Sequence, residues 1–406
     1  MGVQSIAIIG GGIGGVAAAL NLLRAGFDVH VYEQAPALRE IGAGIQISPN
    51  AARVIQNLGL GNELAKIGVR PLGIHQRRWQ DGRTLLKTPL GDAAIEAFGY
   101  PYYQVHRGDL LAMLVAALPP ERLHLGHRLA AFEDDGSRVR LRFDNGGRAE
   151  AGIMIGADGI HSTVRSALFG AEQPRYSGGI AYRGLITAER LSGLDIETTM
   201  QIWMGPQGHV VVYFVAGKRF LNFVANADRD ASMLESWVAQ GDPGELRATY
   251  DGWDPKLWAI LGAVDETFIW GIFERAPLAR WSVGRVTLLG DACHAMQPHM
   301  AQGAAQALED GAVLTRCLET IDDAEAALAR YQQLRLPRTA HVQSLAAHNK
   351  FRFHLPDGPE QAARDATMAA GGTDWSFKAI EWLYGYDPAV AVETGSLGLP
   401  PPARRG

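Results

Sequence analysis

The 406-residue chain is 47% hydrophobic and 20% charged, with a formal net charge of −5. Such a chain is typical of a globular protein with one large domain or two, and its weak negative charge gives no reason to expect nucleic acid or an anionic membrane as a partner. Two cysteines, Cys293 and Cys317, cannot form a disulfide framework, and no charge-free apolar run reaches the roughly 18 residues of a membrane span. We therefore expect a cytoplasmic protein.

The stretch from residue 4 to residue 33 predicts a βαβ unit that binds a dinucleotide. A buried strand runs into Gly10, Gly12 and Gly15, spaced G-x-G-x-x-G, and a helix of small residues and a second strand lead to Glu33. These glycines allow a tight turn, close approach of a pyrophosphate and close packing of the helix on the sheet. Glu33 stands where an acid binds a ribose 2′-hydroxyl. The alternative is a glycine-rich turn without a ligand.

The rest of the chain predicts further elements in a regular order. A hairpin is expected at 72–90, and the residues from 176 to 275 alternate in strand fashion, which indicates an inserted antiparallel sheet. The other predicted helices and strands are, in chain order, a helix at 51–58, a short strand and an apolar helix within 101–118, strands near 124, 131–132, 139–143, 151–155 and 286–289, helices at 303–319 and 324–343, and mostly helical residues from 344 to 388.

This order predicts an α/β fold with a discontinuous nucleotide-binding domain, a mostly antiparallel sheet domain that binds substrate, and a C-terminal helical segment with a disordered tail at 400–406. The expected boundaries are 1–71, 100–175 and 276–345 for the first domain, 72–99 and 176–275 for the second, and 346–406 for the C-terminal segment.

Two further motifs place acids at the ends of predicted strands. Asp158 follows one strand and is seven residues before Arg165, so the two residues make a charged surface near the first nucleotide site. The alternative is a capped turn with a surface salt bridge. Asp291 follows another strand at the sheet edge where α/β proteins bind ligands, and it is placed to accept a bond from a ribityl hydroxyl. The small residues from Gly303 onward leave helix N–H groups free to meet an anion such as a reduced flavin, although close packing against the sheet is by itself the more common explanation.

From Gly10 through Asp158-Gly159 to Gly290-Asp291, and over residues 4 to 345, the chain resembles the single-component FAD-dependent aromatic hydroxylases, which are group A flavoprotein monooxygenases. Within that group, the sequences GDACH, PHMAQG and WLYGYD near the C-terminal end are similar to those of 6-hydroxynicotinate 3-monooxygenase and salicylate hydroxylase. The resemblance implies a Rossmann-type FAD-binding domain with an inserted sheet domain, NADH or NADPH as transient reductant and O2 as co-substrate.

The resemblance also implies a reaction and a set of FAD contacts. The reaction would be hydroxylation, with or without decarboxylation, of a small aromatic or N-heteroaromatic carboxylate such as salicylate, hydroxybenzoate or 6-hydroxynicotinate, through a flavin C4a-hydroperoxide. A flavin dehydrogenase or oxidase without oxygen insertion and a non-catalytic FAD-binding protein remain the alternatives. The expected FAD contacts are Gly10, Gly12, Gly15, Glu33, Arg39, Arg107, Asp158, Asp291, Pro298, Gly303 and Ala304.

Such a reaction needs a base or acceptor that faces the ring hydroxyl, and our candidates are His209, Tyr213 and His299. His209 and Tyr213 are four residues apart on one strand and so share a face, although a pair of this kind is more often structural. His299 follows Pro298, which the resemblance puts at the flavin edge, and imidazole is the natural base for a phenol. The expected substrate wall consists of Gln46, Met200, Trp203, Tyr213 and Pro298.

Gln46 departs from the resemblance, which would put a histidine there in a 6-hydroxynicotinate hydroxylase. Because glutamine cannot titrate, either His299 alone is the base or the substrate is different, for example a salicylate-type benzoate. The histidines and cysteines do not have the spacing of a metal site, so none is expected. The expected partners are the aromatic carboxylate, NAD(P)H and O2, and the protein is expected to be a monomer or a homodimer.

Overall fold

The computed structural model describes residues 4–38, 42–229, 239–371 and 376–401. Its strands are β1 (Ser5–Ile9), β2 (Asp28–Tyr32), β3 (Gly44–Ile47), β4 (Gly73–Arg78), β5 (Thr84–Pro89), β6 (Tyr103–His106), β7 (Leu123–His124), β8 (Leu129–Asp134), β9 (Val139–Phe143), β10 (Arg148–Ala151), β11 (Ile153–Gly156), β12 (Arg175–Thr187), β13 (Met200–Gly205), β14 (Gly208–Val215), β15 (Phe220–Asp228), β16 (Ala239–Gly241), β17 (Thr267–Glu274), β18 (Ser282–Val283) and β19 (Val286–Leu288).

The helices complete the chain order, and three short 3-10 turns lie at Pro120–Arg122, Ala188–Leu191 and Pro298–Met300. The helices are α1 (Ile13–Arg24), α2 (Pro49–Asn57), α3 (Gly61–Ile67), α4 (Asp92–Phe98), α5 (Arg107–Ala116), α6 (Thr163–Phe169), α7 (Pro243–Thr249), α8 (Pro255–Gly262), α9 (Asp291–His294), α10 (Gly303–Thr320), α11 (Ala324–Phe353), α12 (Pro359–Ala369), α13 (Phe377–Tyr384) and α14 (Pro388–Thr394).

The first large sheet has six strands in the order β18-β19-β11-β1-β2-β7, all parallel except β18. Its central strand β1 is buried and apolar, as expected of a parallel strand covered on both faces. Helices α1 and α10 pack closely, since a Cβ added to Gly311 would be 3.0 Å from the Cα of Ala18. The small residues of these helices are therefore explained by close packing as well as by any ligand.

The second large sheet has eight strands in the order β16-β17-β12-β15-β14-β13-β4-β5. It is antiparallel except where β13 pairs in parallel with β4. Strands β4 and β5 pair antiparallel, which confirms the predicted hairpin at 72–90, and the hairpin joins the strands of the later segment through β13. Side chains alternate between its faces: Tyr213 packs on one side with Met200, whereas Val212 packs on the other against α8. The α/β fold class is confirmed, and the division into domains at the stated boundaries stays a prediction.

The C-terminal helices cover the face of the second sheet that carries Tyr213. Helix α11 continues to Phe353 instead of ending near residue 343, with Pro337 inside it, and it packs against the turn Pro298–Met300. Helices α12 and α13 follow, as the mostly helical prediction for 344–388 requires. Most of the predicted tail, residues 402–406, lies outside the described residues. No helix in the described part of the chain combines the length and apolar character needed to cross a membrane.

Candidate active site

The glycine turn between β1 and α1 has the geometry that a pyrophosphate requires. Gly10 has φ +113°, and a Cβ there would be 2.3 Å from the carbonyl oxygen of Ala157; a Cβ on Gly15 would be 2.1 Å from the carbonyl oxygen of Gly10. At Gly12 a Cβ would meet no atom within 4 Å. Helix α1 has neither a side-chain cap nor an acid in its first turn, so its N–H groups remain available to an anion. The turn therefore fits a dinucleotide.

Glu33 is held beside this turn by two backbone bonds. Its Oε2 accepts from the N–H of Gly11 at 2.7 Å and its Oε1 from the N–H of Ala35 at 2.7 Å. Because a carboxylate offers about four acceptor positions, both oxygens keep capacity for ribose hydroxyls. The structure thus places Glu33 where the adenosine end of a dinucleotide is expected. Arg39, the next predicted FAD contact, lies outside the described residues.

Asp158 acts as a cap for helix α6. Its carboxylate accepts from Ser162 Oγ at 2.5 Å and from the N–H groups of Thr163 and Val164 at 2.7 and 3.2 Å. Burial nevertheless raises the pKa of Asp158. Arg165 is buried and pairs with Glu172. The capped turn considered from the sequence is present, and a contact of Asp158 with FAD stays a prediction.

Arg107, Asp291 and Gly303 come together although they are far apart in the chain. Arg107 begins α5. Burial lowers its pKa, and the nearby negative charge of Asp291 offsets part of that decrease. Asp291 is exposed, and a Cβ on Gly303 would be 4.0 Å from its Oδ1. Helix α10 begins at Gly303 with Ala304 next, and its first turn has no acid and no side-chain cap. These groups are suited to hold a ribityl chain and an anionic ring edge.

Pro298 occupies an exposed turn next to this helix. Its carbonyl accepts from the N–H of Ala301, which has φ +52°, at 3.0 Å. The turn brings the buried side chains of His299 and Met300 under the second sheet while Pro298 faces outward. Pro298 is thus available to a bound ring, and its contact with the flavin edge stays a prediction.

Gln46 and Tyr213 are brought together, as the predicted substrate wall requires. Gln46 Oε1 accepts from the hydroxyl of Tyr102, and Gln46 also hydrogen-bonds Tyr213. Burial raises the pKa of Tyr213 to about 12, so this phenol is neutral at physiological pH. Met200 packs in the same apolar cluster as Tyr213. Three of the expected wall residues therefore share one side of the second sheet.

Trp203 is a correction, because it lies on the opposite face of β13 from Met200. It is fully buried, packs with Val210 and Val212, and donates its indole N–H to Asp254 Oδ2 at 2.7 Å. Residues three apart on a strand point to opposite faces, so Met200 and Trp203 cannot both line one wall of a pocket. The alternation of side chains was readable in the sequence, and the prediction for Trp203 was wrong.

His209 and His299 differ in how their ring nitrogens are occupied. His209 accepts from the Asn226 amide at Nε2, 3.0 Å away, and its Nδ1 lies 2.6 Å from Nε2 of His354. His299 packs against His209 with ring centres 5.1 Å apart, and neither of its nitrogens has a hydrogen-bond partner among the described residues. Burial, together with the charges of His354 and Lys350, lowers the pKa of His299 to about 3. His299 is a neutral imidazole with a free lone pair, so its geometry favours it over His209 as a proton acceptor, while its low pKa makes it a weak base at neutral pH.

Arg183 is a candidate that the sequence analysis missed. Its guanidinium lies 3.9 Å from the ring centre of Trp270, and its Nη2 donates to the carbonyl of Gly44 at 3.3 Å. Burial lowers the pKa of Arg183 to about 10, a decrease that the nearby Tyr213 partly offsets. No acid pairs with Arg183 among the described ion pairs, and its shielded Nε has no hydrogen-bond partner. An arginine within the apolar alternation of β12 was the signal available in the sequence.

One cluster of potential metal ligands occurs among the described residues, formed by Cys293, His294 and Asp310. His294 Nε2 lies 2.7 Å from Asp310 Oδ2, and Arg335 donates to Asp310 Oδ1 at 2.7 Å. The thiol of Cys293 donates to the carbonyl of Gly290 at 3.3 Å. These bonds, with Arg335 as the counter-charge, account for the cluster, and we assign no metal to it.

The parallel sheet, the glycine turn and the acid at the end of β2 define a dinucleotide-binding protein of the Rossmann type. The model of the FAD binding domain family matches residues 3–346. The chain is 42% identical over 385 residues to 3-amino-4-hydroxybenzoate 2-monooxygenase PtmB3 of Streptomyces platensis, covering 95% of this chain and 96% of that protein. It is also 42% identical over 353 residues to 6-hydroxynicotinate 3-monooxygenase of Bordetella bronchiseptica, covering 86% and 92%.

A solved salicylate hydroxylase in complex with its substrate superposes with a TM-score of 0.80 at 26% identity, covering 99% of both chains. The chain therefore belongs to the FAD binding domain family, as one of its FAD-dependent aromatic-ring monooxygenases. The sequence-based predictions of the cofactor and of the enzyme class are confirmed, and the dehydrogenase, oxidase and non-catalytic alternatives are not supported.

Proposed function

We propose that the enzyme hydroxylates a small benzoate that carries a ring hydroxyl. The observation that supports this most is Arg183, a shielded cation without an acid partner among the described ion pairs, placed beside Tyr213. A half-buried charge of this kind is costly unless an anion compensates it, and a substrate carboxylate would do so with a charge-assisted bond. The named substrates of the two relatives above, an aminohydroxybenzoate and a hydroxynicotinate, are both carboxylates with a ring hydroxyl.

The chain's own residues would hold and prepare this ring. Tyr213 and Gln46 are hydrogen-bonded to each other and offer a neutral donor and acceptor to the ring substituents. His299, with a free lone pair, takes the proton of the ring hydroxyl and so makes the ring more electron-rich. The glycine turn and the N-terminus of α10 would hold FAD, which when bound would supply the chemistry of hydride acceptance from NAD(P)H and activation of O2.

Gln46 supports a benzoate over 6-hydroxynicotinate as the preferred substrate. Its amide is engaged by Tyr102 and Tyr213 and cannot exchange a proton at physiological pH. If 6-hydroxynicotinate needs a second titrating group at this position for its activation, the enzyme would hydroxylate it slowly. A hydroxybenzoate needs only one imidazole to accept its phenol proton, so the enzyme would hydroxylate it faster.

A substrate panel tests the proposal. Salicylate, 3-hydroxybenzoate, 3-amino-4-hydroxybenzoate, 6-hydroxynicotinate and the phenols lacking the carboxylate are compared for stimulated NADH and NADPH oxidation, with products identified under ¹⁸O₂. We expect a hydroxybenzoate to give tight coupling and one ¹⁸O atom in the product. Equal activity with the carboxylate-free phenols would contradict the role given to Arg183, and the product's carbon count decides whether the carboxylate is lost.

We also infer that the enzyme acts in the cytoplasm as a monomer or homodimer. Cys293 and Cys317 are both buried and unpaired, which supports a reducing compartment. Light scattering coupled to gel filtration at micromolar concentration tests the oligomeric state, and a tetramer or larger species would contradict it.

A further inference from the structure

A line of hydrogen bonds connects the buried face of the second sheet to the protein surface. His209 Nδ1 lies 2.6 Å from His354 Nε2, and His354 Nδ1 lies 3.0 Å from Asp228 Oδ1. Asp228 is 35% exposed and, with Lys350 and His354, lines an open cavity of about 270 Å³. The line therefore begins beside His299 and ends at solvent.

The donors along this line all point outward. Burial acts to raise the pKa of Asp228, but the bonds and charges of His354 and Lys350 outweigh it and lower that pKa, so the carboxylate accepts. His354 must then donate from Nδ1 and accept at Nε2 from Nδ1–H of His209. Asn226 completes the order by donating its amide to Nε2 of His209. A proton that arrives at the inner end thus finds each successive donor already directed toward solvent.

Asn226 is placed to open the inner end of the line. Its Oδ1 is buried and has no hydrogen-bond partner among the described residues, whereas its Nδ2 covers Nε2 of His209. A half-turn of this amide would bring Oδ1 against a newly formed N–H on His209 and satisfy both groups. The ring of His299 lies against that of His209 at an interplanar angle of 72°. The two imidazoles are therefore in ring contact but not hydrogen-bonded to each other, so a side-chain rotation must come before any proton transfer between them.

We propose that His209, His354 and Asp228 form the exit path for the proton that His299 removes from the substrate's ring hydroxyl. The proposal rests on the proposed function. The hydroxyl O–H bond breaks as an N–H bond forms on His299. This proton binds Nε2 of His209 only after the Asn226 amide has turned away from that nitrogen and the His299 ring has turned to reach it. The Nδ1 proton of His209 passes to Nε2 of His354, and the Nδ1 proton of His354 passes through Asp228 to solvent, with no change in oxidation state.

The charges around His354 favour release at the outer end. The groups that face it are His209 from β14, Asp228 from β15, His299 from the turn before α10, and Lys350 from α11 itself. Lys350 bonds Asp228 at 3.0 Å, so its positive charge disfavours a proton that stays on the relay. In this role His209 and His354 carry the proton after His299 and do not touch the substrate.

The test compares His354→Ala with His348→Ala, which removes an exposed imidazole from the same helix. FAD content and the rate of flavin reduction by NADH should be unchanged in both variants. For His354→Ala we expect the rate of product formation to fall at least tenfold, and added imidazole, which can enter the open cavity, to restore it with saturation. His348→Ala should match the wild type at every pH from 6 to 9.

The outcomes separate the relay from the proposed function. If the wild type hydroxylates a benzoate and His354→Ala does so equally fast, the relay is refuted while the function stands. A slow His354→Ala that imidazole does not restore, together with a fully active His354→Phe, would show that His354 only fills space. If the wild type forms no hydroxylated product from any hydroxybenzoate, the proposed function fails and the relay fails with it.

Discussion

Arg183 lies over Trp270, with its guanidinium carbon 3.9 Å from the ring centre, on the face of the second sheet that also carries Tyr213. A cation this close to an indole ring is stabilised by the negative face of the ring, and the contact restricts the side chain, which favours binding of an anion. This relationship joins two strands, β12 and β17, that pair directly in the sheet.

Replacing Arg183 with Gln should raise KM for a carboxylate substrate much more than it lowers kcat. Loss of a bond to a charged group costs about 1.5–3 kcal/mol. That corresponds to about a 10- to 150-fold change in affinity. Steady-state kinetics with the best benzoate measure it. Arg183→Lys is the control that keeps the charge, and an unchanged KM in Arg183→Gln would contradict the assignment.

His299→Ala should slow product formation while leaving FAD bound. The imidazole is the one candidate base with both nitrogens unbonded among the described residues, so its removal takes away the acceptor for the substrate proton. General-base catalysis contributes about 10²–10⁴-fold. Rapid-mixing measurements separate flavin reduction, which should be unchanged, from product formation. Loss of flavin from the purified variant would mean that His299 is structural.

The free energy of unfolding should fall as the pH drops from about 6.5 toward 4. The folded-state pKa of His299 is about 3, below the value of about 6.5 expected in the unfolded chain, so the unfolded state binds more protons in this range. Stability is then present above pH 6.5 and decreases by about 1.4 kcal/mol per pH unit for this group. Urea unfolding at several pH values measures it. His299→Phe should show a smaller slope, whereas His348→Ala should keep the wild-type slope.

Arg335 holds together a fully buried charge network, so its removal should destabilise the protein strongly. It donates to Glu309 at 2.5 Å and to Asp310 at 2.7 Å, and all three side chains are inaccessible to solvent. Leaving two buried acids with one cation fewer costs about 3–5 kcal/mol. Denaturant unfolding of Arg335→Met measures this cost. The control Arg140→Met, which breaks the exposed pair with Asp135, should cost less than about 1 kcal/mol.

Gly12→Ala and Gly15→Ala should separate cofactor binding from folding. A Cβ on Gly12 meets no protein atom within 4 Å, so this variant should fold normally and bind FAD more weakly, because the methyl group points into the space expected for pyrophosphate. A Cβ on Gly15 would be 2.1 Å from the carbonyl oxygen of Gly10, so that variant should lose thermal stability even without FAD. Fluorimetric FAD titration and thermal unfolding of the apoproteins measure the two effects. A destabilised Gly12→Ala apoprotein would contradict this division.

Local patterns were sufficient for much of the fold. The βαβ unit at the N-terminus, the hairpin at 72–90 and the strands of the later segment follow from hydrophobic periodicity and glycine spacing, which act over a few residues. The face of Trp203 was also readable, since it depends only on alternation from Met200, and there the pattern was misapplied. The end of α11 at Phe353 was not readable, because packing under the second sheet extends the helix beyond the predicted end near residue 343.

The amino-acid sequence by itself determined the cofactor class, because the dinucleotide turn and its acid lie within one 30-residue unit whose chemistry depends on local spacing. Only the tertiary structure decided which side chains share the face of the second sheet that carries Tyr213. His209 and His354 are 145 residues apart, and Arg183 and Trp270 belong to strands separated by a long segment of chain. Their contacts, their burial and the resulting pKa changes depend on which elements pack together, and no local pattern carries that information.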